Sequence, residues 1–469
     1  MKRIDFENGT ITGNILGAAL PMLVAQILNL LYNIVDRIYI ARIPEIGTAA
    51  LGAVGLCFPI IVIITAFSNL FGTGGAPLFS IFRGKKDPDT ARRIMNTSFT
   101  MLCVCAMILM TVGFLFARPI LILFGASAEA IIYAYPYMML YLIGPLPSMI
   151  AVGMNPFINA QGYSSIGMLS VAIGAGTNLV LDPLFIFALG LGVRGAAIAT
   201  VISQCISAAL VVRCLMKETG PLRLDFRQLK IYPIKLKQIM QVGIPAGIQG
   251  MLFSLANVTV QSSVNSFGEI IMAGSSAAIS IEQFIYSNIN AFYQANVAFT
   301  SQNYGAGDYR RIKKIAMISV VTGVVTTELL SVLAVYFGPQ LLGIYSPSAE
   351  VVAAGMVRLR WIALFYGLDA IMDVIVGSLR GVGYNILPML VTLMGACASR
   401  LIWLSTVFRL PAYHRIEMVY IVYPLSWALT ATTHLICYFF VSRKVDRELR
   451  AHEAELAARM EESPEEADS

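Results

Sequence analysis

The sequence predicts an all-α membrane protein with twelve transmembrane helices in two pseudo-symmetric six-helix bundles. Three observations support this fold class. Apolar residues make up 57% of the 469 residues and charged residues only 13%, whereas a soluble domain carries about 25% charged residues. Apolar stretches of the length that crosses a bilayer, about 20 residues, recur along the whole chain. The two halves of the chain also share sequence features.

Each predicted helix is an apolar stretch bounded by polar or glycine- and proline-containing turns. The segment before the first stretch mixes acidic with basic residues and no small-residue cleavage pattern follows it, so we expect the first helix to be retained. The predicted spans lie near 14–41, 48–81, 94–117, 129–158, 165–190 and 194–213 in the first half, and near 238–266, 270–300, 313–337, 351–379, 386–408 and 418–441 in the second.

Matching features in the two halves indicate an internal repeat. Pro21 enters the first predicted helix and Pro245 the seventh. A basic turn follows at Gly84, in FRGKKDPDTARRI, and a similar one at Gly305, in NYGAGDYRRIKKI. Six helices per half bring both halves to the same side of the membrane at their starts. The pattern therefore predicts a parallel repeat, related by an axis along the membrane normal.

The composition of the connecting segments predicts the domain limits. We expect an N-lobe at 1–216 and a C-lobe at 238–442, joined by a polar, basic linker at 217–237. The tail at 443–469 is expected to form a short cytoplasmic helix followed by a disordered acidic end.

The distribution of lysine and arginine predicts the orientation. Basic residues concentrate in 83–93, 213–237, 310–314 and 443–459, which all fall on one side of the predicted membrane, and few lie on the other side. By the positive-inside rule both termini are cytoplasmic, in a multi-pass protein of the plasma membrane. Basic loops beside an anionic leaflet account for the net charge of +6, so no nucleic-acid partner is expected.

Residues suited to covalent or metal chemistry are scarce. The seven cysteines form no CxxC pair, the three histidines lack metal-ligand spacing, and no HExxH motif is present. We therefore expect neither an enzyme nor a protein with a cofactor.

An acidic residue inside the first predicted helix is the strongest functional signal. Gln26, Asn29, Asn33 and Asp36 follow one another at spacings of three or four, so they share one helix face. A carboxylate in a bilayer core is costly unless it faces the protein interior or a wet cavity. Asp36 is therefore a candidate functional residue.

Polar residues at helical spacing mark several other predicted spans. Amides in such stripes can simply hold helices together, at about 0.6–2 kcal/mol each, but buried acids must pair or titrate. Glu328 stands alone, without a polar stripe and without an evident role. The stripes comprise Asn178 and Asp182, Asn257 and Gln261, Glu282 and Tyr286, and Asp369 and Asp373.

Several segments together resemble the MATE (multidrug and toxic compound extrusion) transporters. The resemblance is carried by LPMLVAQILNLLYNIVDRIYIAR, NLVLDPLFIFALGLGVRGAAIATVISQ, GIPAGIQ, IEQFIY, QNYGAG and SLRGVGY, which lie between about 16 and 405. It implies twelve helices in two six-helix lobes and the exchange of H⁺ or Na⁺ for organic compounds.

The resemblance also implies roles for individual residues. In the N-lobe it implies a cation-coupling site of Asp36, Asn178, Asp182, Thr200 and Tyr137, with Na⁺ possible at the first three. The C-lobe resembles the family at the acid Asp369, but Phe253 stands where some members have glutamate, which argues against a Na⁺ site there. We assign the C-lobe cavity to Asp369, Asp373, Glu282, Gln249, Asn257, Gln261 and Arg400.

The expected function is a monomeric antiporter that exports lipophilic organic cations by alternating access. The expected cavity carries the acids Asp36, Asp182, Glu282, Asp369 and Asp373, with only Arg37 and Arg400 as bases inside the spans. Such an imbalance attracts cations, and Arg400 is a candidate partner for one of the two C-lobe aspartates. The alternative is a flippase or exporter of lipid-linked or anionic metabolites with the same two-lobe architecture, for which a more basic cavity is expected.

Overall fold

A computed structural model gives the chain as helices joined by short turns. It describes residues 3–7, 9–44, 46–218 and 220–462, with only the backbone described at 48, 449 and 451–462. No strand occurs within these ranges. The helices are α1 Ile11–Ala41, α2 Gly47–Gly84, α3 Pro88–Leu123, α4 Ala128–Tyr141, α5 Pro145–Ala160, α6 Ser164–Pro183, α7 Val193–Lys217, α8 Pro233–Asn265, α9 Glu269–Gly305, α10 Tyr309–Tyr336, α11 Gly338–Tyr345, α12 Ala349–Ile362, α13 Tyr366–Gly381, α14 Ile386–Thr392, α15 Ser399–Ser405, α16 Ile416–Tyr420 and α17 Val422–Glu462.

The predicted fold class, an all-α membrane protein, is confirmed. Among the described residues ten helical segments are long and apolar enough to cross a membrane, and the pair α4–α5, bent by 59°, makes an eleventh. The one predicted span that is not among these eleven, 270–300, corresponds to α9. At 37 residues α9 is long enough to cross, but it contains more serine, asparagine and glutamine than the other spans.

The chain forms two compact units. The first comprises Met1–Arg83 and Asp87–Gly250, and the second comprises Gly84–Lys86 and Met251–Ser469. The division falls inside α8, beyond the predicted linker at 217–237. In the first unit, Gly243 of α8 has no side chain and lies so close to the backbone of Leu70 that a Cβ atom would overlap it. This close approach explains why the first half of α8 belongs with the first unit.

Each unit has its own apolar core. In the first unit Phe79 and Phe157 pack edge to face, with ring centroids 5.6 Å apart, in a core shared by α2, α3, α5 and α7. In the second unit the core lies among α9, α12, α13 and α17, where Tyr366 and Trp427 are in contact at a centroid distance of 5.0 Å.

The two predicted basic turns have the same backbone design. The turn after Gly84 ends at Asp87, whose carboxylate accepts a 3.0 Å hydrogen bond from the Thr90 amide and caps α3. The turn after Gly305 ends at Asp308, which caps α10 through the Arg311 amide, also at 3.0 Å. An N-cap carboxylate satisfies an amide that the helix leaves unpaired. The matched caps support the internal repeat that the sequence predicts.

Corresponding residues of these turns also share a left-handed backbone. Lys86 has φ 57° and Gly307 has φ 76°. Lys86 is the only non-glycine residue with positive φ in the described part of the chain. A side chain makes this conformation unfavourable, so the first turn is strained where the second is not.

Candidate functional site

Three helices of the first unit bring the predicted N-lobe residues together. Asp36 lies near the end of α1, Asn178 and Asp182 lie one turn apart in α6, and Thr200 lies in α7. α6 packs against both α1 and α7. Small residues allow this close packing: a Cβ atom on Gly174 of α6 would overlap the side chain of a serine on α7. The packing brings Asp36 of α1 next to Asp182 of α6, whereas Asn29 and Asn33 of the α1 stripe are exposed.

Asn178 connects the members of this cluster. Its Nδ2 donates to Asp182 Oδ1 at 3.2 Å and lies 3.5 Å from Thr200 Oγ1. Asp182 is completely buried, and Asp36 lies within hydrogen-bonding reach of it. We call Asp36, Asn178, Asp182 and Thr200 the carboxyl-pair site.

Each carboxyl group of the pair has one buried oxygen without a hydrogen-bond donor among the described residues, and Asn178 donates to the other oxygen of Asp182. Asp36 Oδ1 and Asp182 Oδ2 are buried and receive no hydrogen bond from the residues that the structure describes. Two carboxyl groups can hydrogen-bond to each other only when one of them carries a proton, and two charged carboxylates at this separation repel. The site is therefore suited to hold a proton or another small cation.

Two tyrosines adjoin the carboxyl-pair site. Tyr137 of α4 is buried, stacks on Tyr141 with centroids 5.9 Å apart, and lies within electrostatic range of Asp36. Tyr32 interacts with both Asp36 and Asp182. The sequence analysis did not assign Tyr32 to this site, although its spacing of four residues before Asp36 places it on the same face of α1.

The backbone departs from α-helical geometry just after Asp182. Residues Leu184–Ala188 form one turn of π-helix directly after Pro183. Proline lacks the amide that would continue the α-helical pattern, and π turns occur frequently at functional sites. In the second unit a π turn over Leu393–Ala398 stands just before Arg400. Both units therefore place a π turn next to a buried charged side chain.

In the second unit Glu282 makes an ion pair that the sequence analysis did not predict. Arg358 Nε donates to Glu282 Oε1 at 2.9 Å and its Nη2 donates to Oε2 at 2.8 Å. Both side chains are at most 5% exposed. Arg358 also donates to Ser275 and lies over the rings of Tyr420 and Tyr423. The only sequence feature that could have indicated this ion pair was the position of Arg358 inside an apolar helix.

Arg400 is fully buried, but its expected ion pair with an aspartate is not formed. Its Nη1 donates to Asn257 Oδ1 at 2.8 Å and its Nε donates to Ser426 Oγ at 3.0 Å. The guanidinium lies 4.5 Å from the ring centroid of Tyr423 and 5.0 Å from that of Phe253. Phe253, which replaces the family glutamate, thus provides an aromatic face for an internal arginine rather than a carboxylate for an ion.

The aspartates of α13 have different surroundings. Asp369 is 3% exposed, and its Oδ1 has no hydrogen-bond partner among the described residues. It lies within electrostatic range of Asp373 and Arg400. Asp373 faces the hydroxyl of Tyr286 and lies near Arg380, which donates to Tyr293 at 2.6 Å. Asp373 is therefore partnered, whereas Asp369 retains a free buried oxygen.

The remaining predicted C-lobe residues all belong to α8. Asn257 accepts the hydrogen bond from Arg400 described above. Gln261 Nε2 donates to Asn265 Oδ1 at 2.8 Å along the same helix. Gln249 falls in the first unit, which extends to Gly250, rather than in the unit that holds the other residues of this predicted set.

Glu328, which had no role in the sequence analysis, caps a helix. Its Oε1 accepts a 2.7 Å hydrogen bond from the amide of Gly367, in the first turn of α13. The helix is interrupted just before this point by a 3₁₀ turn over Ala363–Phe365, which leaves the first amides of α13 unpaired. A carboxylate at a helix N-terminus also interacts favourably with the helix dipole.

The charge balance of the second unit differs from the expected one. Glu282, Asp369 and Asp373 have nearby partners or neighbours in Arg358, Arg400 and Arg380. The sequence analysis included Arg400 among the bases of the cavity but did not include Arg358 or Arg380. That part of the charge argument is corrected: each of these three acids has an arginine as partner or neighbour, and in the first unit Arg37 interacts with Asp36 while no base is found beside Asp182 among the described residues.

The fold and the carboxyl-pair site define a class of protein. Multiple apolar helices cross the membrane, and a buried acidic pair in one unit can take up and release a cation. Within the described residues no cluster of three or more His, Cys, Asp or Glu could hold a metal ion. Ionisable residues among membrane helices commonly mark ion or substrate pathways.

The chain belongs to the MatE family, whose model matches residues 21–184 and 245–403. These ranges include Asp36, Asn178 and Asp182 of the carboxyl-pair site, but not Thr200, and they include Glu282, Arg358, Asp369, Asp373, Arg380 and Arg400 of the second unit. The family is one of transporters, so the protein is a transporter and not an enzyme.

Known proteins with similar sequences and folds agree with this assignment. "Multidrug export protein MepA" of Staphylococcus haemolyticus is 24% identical over 378 residues, which are 81% of this chain and 83% of that protein. "Probable multidrug resistance protein YoeA" of Bacillus subtilis is 24% identical over 447 residues, or 90% and 92% of the two chains. A crystal structure of MATE in the straight conformation has a TM-score of 0.87 at 21% identity and covers 95% of this chain and 99% of its own.

Proposed function

We propose that the protein is a secondary active multidrug exporter that exchanges lipophilic organic cations for H⁺ or Na⁺. The observation that carries this proposal is the contact between the half-buried carboxyl group of Asp36 and the fully buried carboxyl group of Asp182, on different helices. The names of the relatives, a multidrug export protein and a probable multidrug resistance protein, support drug export as the activity. Basic loops on one predicted side support the placement of both termini on the cytoplasmic side of the plasma membrane.

The coupling mechanism follows from competition for one negative site. An organic cation is attracted to the carboxyl-pair site when the pair is charged. Entry of a proton or a sodium ion lowers the negative charge of the pair by one and weakens its attraction for the organic cation, which is released to the side from which the ion arrived. Loss of the ion to the cytoplasm restores the charge and completes an alternating-access cycle.

The local geometry favours H⁺ as the coupling ion. Asn178 donates to only one oxygen of Asp182, and the approach of Asp36 to Asp182 is stable when a proton lies between the two carboxyl groups. Asn178 and Thr200 contribute oxygens that would also suit Na⁺. The identity of the coupling ion is therefore tested directly. Transport of a fluorescent lipophilic cation is measured in vesicles of the purified protein, with a pH gradient alone and with a Na⁺ gradient alone. We expect the pH gradient to drive transport, and transport driven only by Na⁺ would reverse the choice.

The charge of the substrate is tested separately. Tyr32 and Tyr137 add aromatic faces beside the carboxyl-pair site, and cation–π contacts are worth about 0.5–2 kcal/mol each. Export of an ethidium-like cation is therefore compared with export of an anionic dye of similar size, before and after the gradient is collapsed. Preferred export of the anion would mean that the acids serve only the coupling ion.

The buried arginines of the second unit are relevant to the alternative function, transport of an anionic substrate. Arg358 and Arg400 give that unit more cationic character than the sequence analysis expected. A flippase or exporter of anionic metabolites would use such residues to bind its substrate. However, the hydrogen bonds of Arg358 go to Glu282 and Ser275, and those of Arg400 go to Asn257 and Ser426. The internal engagement of Arg358 favours the cation exporter, while Arg400 Nη2 is buried without a hydrogen-bond partner among the described residues.

A further inference from the structure

The first unit contains a cavity of about 330 Å³ at the end where α6 begins and α7 ends. Its walls include the apolar side chains of Ile166, Leu169, Ile173 and Leu210. Leu169 and Ile173 are 40% and 38% exposed. The cavity is separate from the carboxyl-pair site, which lies toward the opposite end of α6. We call it the α6–α7 groove.

The rim of the α6–α7 groove carries positive charge. Arg213 and Lys217 both border it, and their spacing of four residues places them on one face of α7. Both are exposed, and neither forms an ion pair with any residue whose side chain the structure describes. The acid at the rim, Glu218, is 6% exposed and paired with Arg3 at 3.5 Å. Its charge is therefore compensated, and the rim is cationic.

We propose that the α6–α7 groove binds one anionic phospholipid of the surrounding bilayer. The combination of an apolar wall and a cationic rim matches a molecule with an acyl chain and a phosphate headgroup. An arginine can bind phosphate oxygens through two parallel hydrogen bonds, and a lysine adds a mobile point charge. In the predicted orientation the rim lies on the cytoplasmic side, where the membrane surface is negatively charged. This proposal is independent of the transported substrate and the coupling ion.

The inference is tested by native mass spectrometry of the purified full-length protein with added phosphatidylglycerol. Phosphatidylcholine of the same chain length and glycerol 3-phosphate are measured in parallel. We expect phosphatidylglycerol to be retained in preference to both. Each basic residue near an anionic lipid surface contributes about a fivefold change in affinity, so the double variant R213S/K217S should lose at least about tenfold. Leu210→Trp, which fills the groove, should reduce retention of the lipid with the rim charges intact.

A matched variant separates the groove from general charge attraction. Arg310 and Lys314 of α10 are exposed, have the same spacing of four residues, and lie outside the groove. R310S/K314S should keep the wild-type affinity for phosphatidylglycerol. Equal loss in this control, equal retention of phosphatidylcholine, or binding of glycerol 3-phosphate as tight as that of the lipid would each overturn the proposal. Unfolding temperatures identify variants that fail to fold. Leu210→Trp keeps the rim, so it tests the groove even if the double variant unfolds.

Discussion

Arg358 binds the carboxylate of Glu282 through two parallel hydrogen bonds of 2.8 and 2.9 Å, and both side chains are almost completely buried. The pair joins α12 to α9 inside the core of the second unit. Because Tyr420 and Tyr423 cover the guanidinium, water does not compete for these bonds. The pair therefore stabilises the packing of these helices and leaves Glu282 without a free charge for substrate.

Removing one member of this pair should destabilise the protein more than removing both. Arg358→Met leaves an uncompensated buried carboxylate, and breaking a buried pair costs about 3–5 kcal/mol. The double variant E282M/R358M has no buried charge at this place and should recover most of that loss. Denaturant unfolding of the purified protein measures both effects. Wild-type stability of Arg358→Met would show that the pair has no structural role.

Asp36→Asn should abolish gradient-driven export while the protein stays folded and inserted in the membrane. An amide cannot bind and release a proton, so the competition between ion and drug is lost. Asp182→Asn should have nearly the same effect. Asp89→Asn, an exposed site in the first turn of α3, is the matched control and should transport normally. Dye efflux from reconstituted vesicles is the measurement, and normal efflux by folded Asp36→Asn protein would refute the assignment.

Glu328 and Gly367 should behave as a coupled pair. Glu328→Ala removes the cap of α13 and should cost about 0.5–2 kcal/mol. Gly367→Ala should also destabilise the protein, since its new Cβ would overlap the Glu328 side chain. In the double variant the overlap disappears, so the two losses should not add. A thermal-unfolding double-mutant cycle checks this, and simple additivity would mean that the Gly367→Ala side chain does not overlap Glu328.

Lys86→Gly should stabilise the turn before α3. Lys86 has φ 57°, a conformation that costs a residue with a side chain roughly 1–2 kcal/mol and costs glycine little. Glycine also loses more freedom on folding, so the expected net gain is below about 1 kcal/mol. The reciprocal change, Gly307→Lys, should destabilise the protein. Equal unfolding temperatures for wild type and both variants would contradict the inferred strain.

The cap at Asp87 should make a pH-dependent contribution to stability. The hydrogen bond from the Thr90 amide lowers the pKa of the Asp87 carboxyl. A carboxyl whose pKa is lower in the folded state stabilises the protein above its unfolded pKa, and the contribution is lost as the pH falls through the folded pKa. The stability difference between wild type and Asp87→Ala should therefore shrink from neutral pH toward acid. A difference that grows on acidification would exclude this origin.

The fold class and the members of the carboxyl-pair site could be predicted from the amino-acid sequence. Asp36 and Asp182 were identifiable because isolated acids in apolar stretches are costly and because the surrounding motifs resemble a family. The pairing of Glu282 with Arg358 was not predictable, since the two residues are 76 positions apart and neither lies in a pattern that points to the other. The role of Glu328 was equally unpredictable, because its partner is a backbone amide and nearly every residue has one.

The matched turns before α3 and α10 have a consequence for recognising ancient gene duplications. Lys86 and Gly307 differ in chemistry, yet both have positive φ, and each turn ends in an aspartate that caps a helix. An alignment of letters scores the lysine–glycine position as a mismatch. A comparison of torsion angles scores it as agreement. A comparison of backbone angles can therefore show that two turns have the same conformation at positions where the side chains differ.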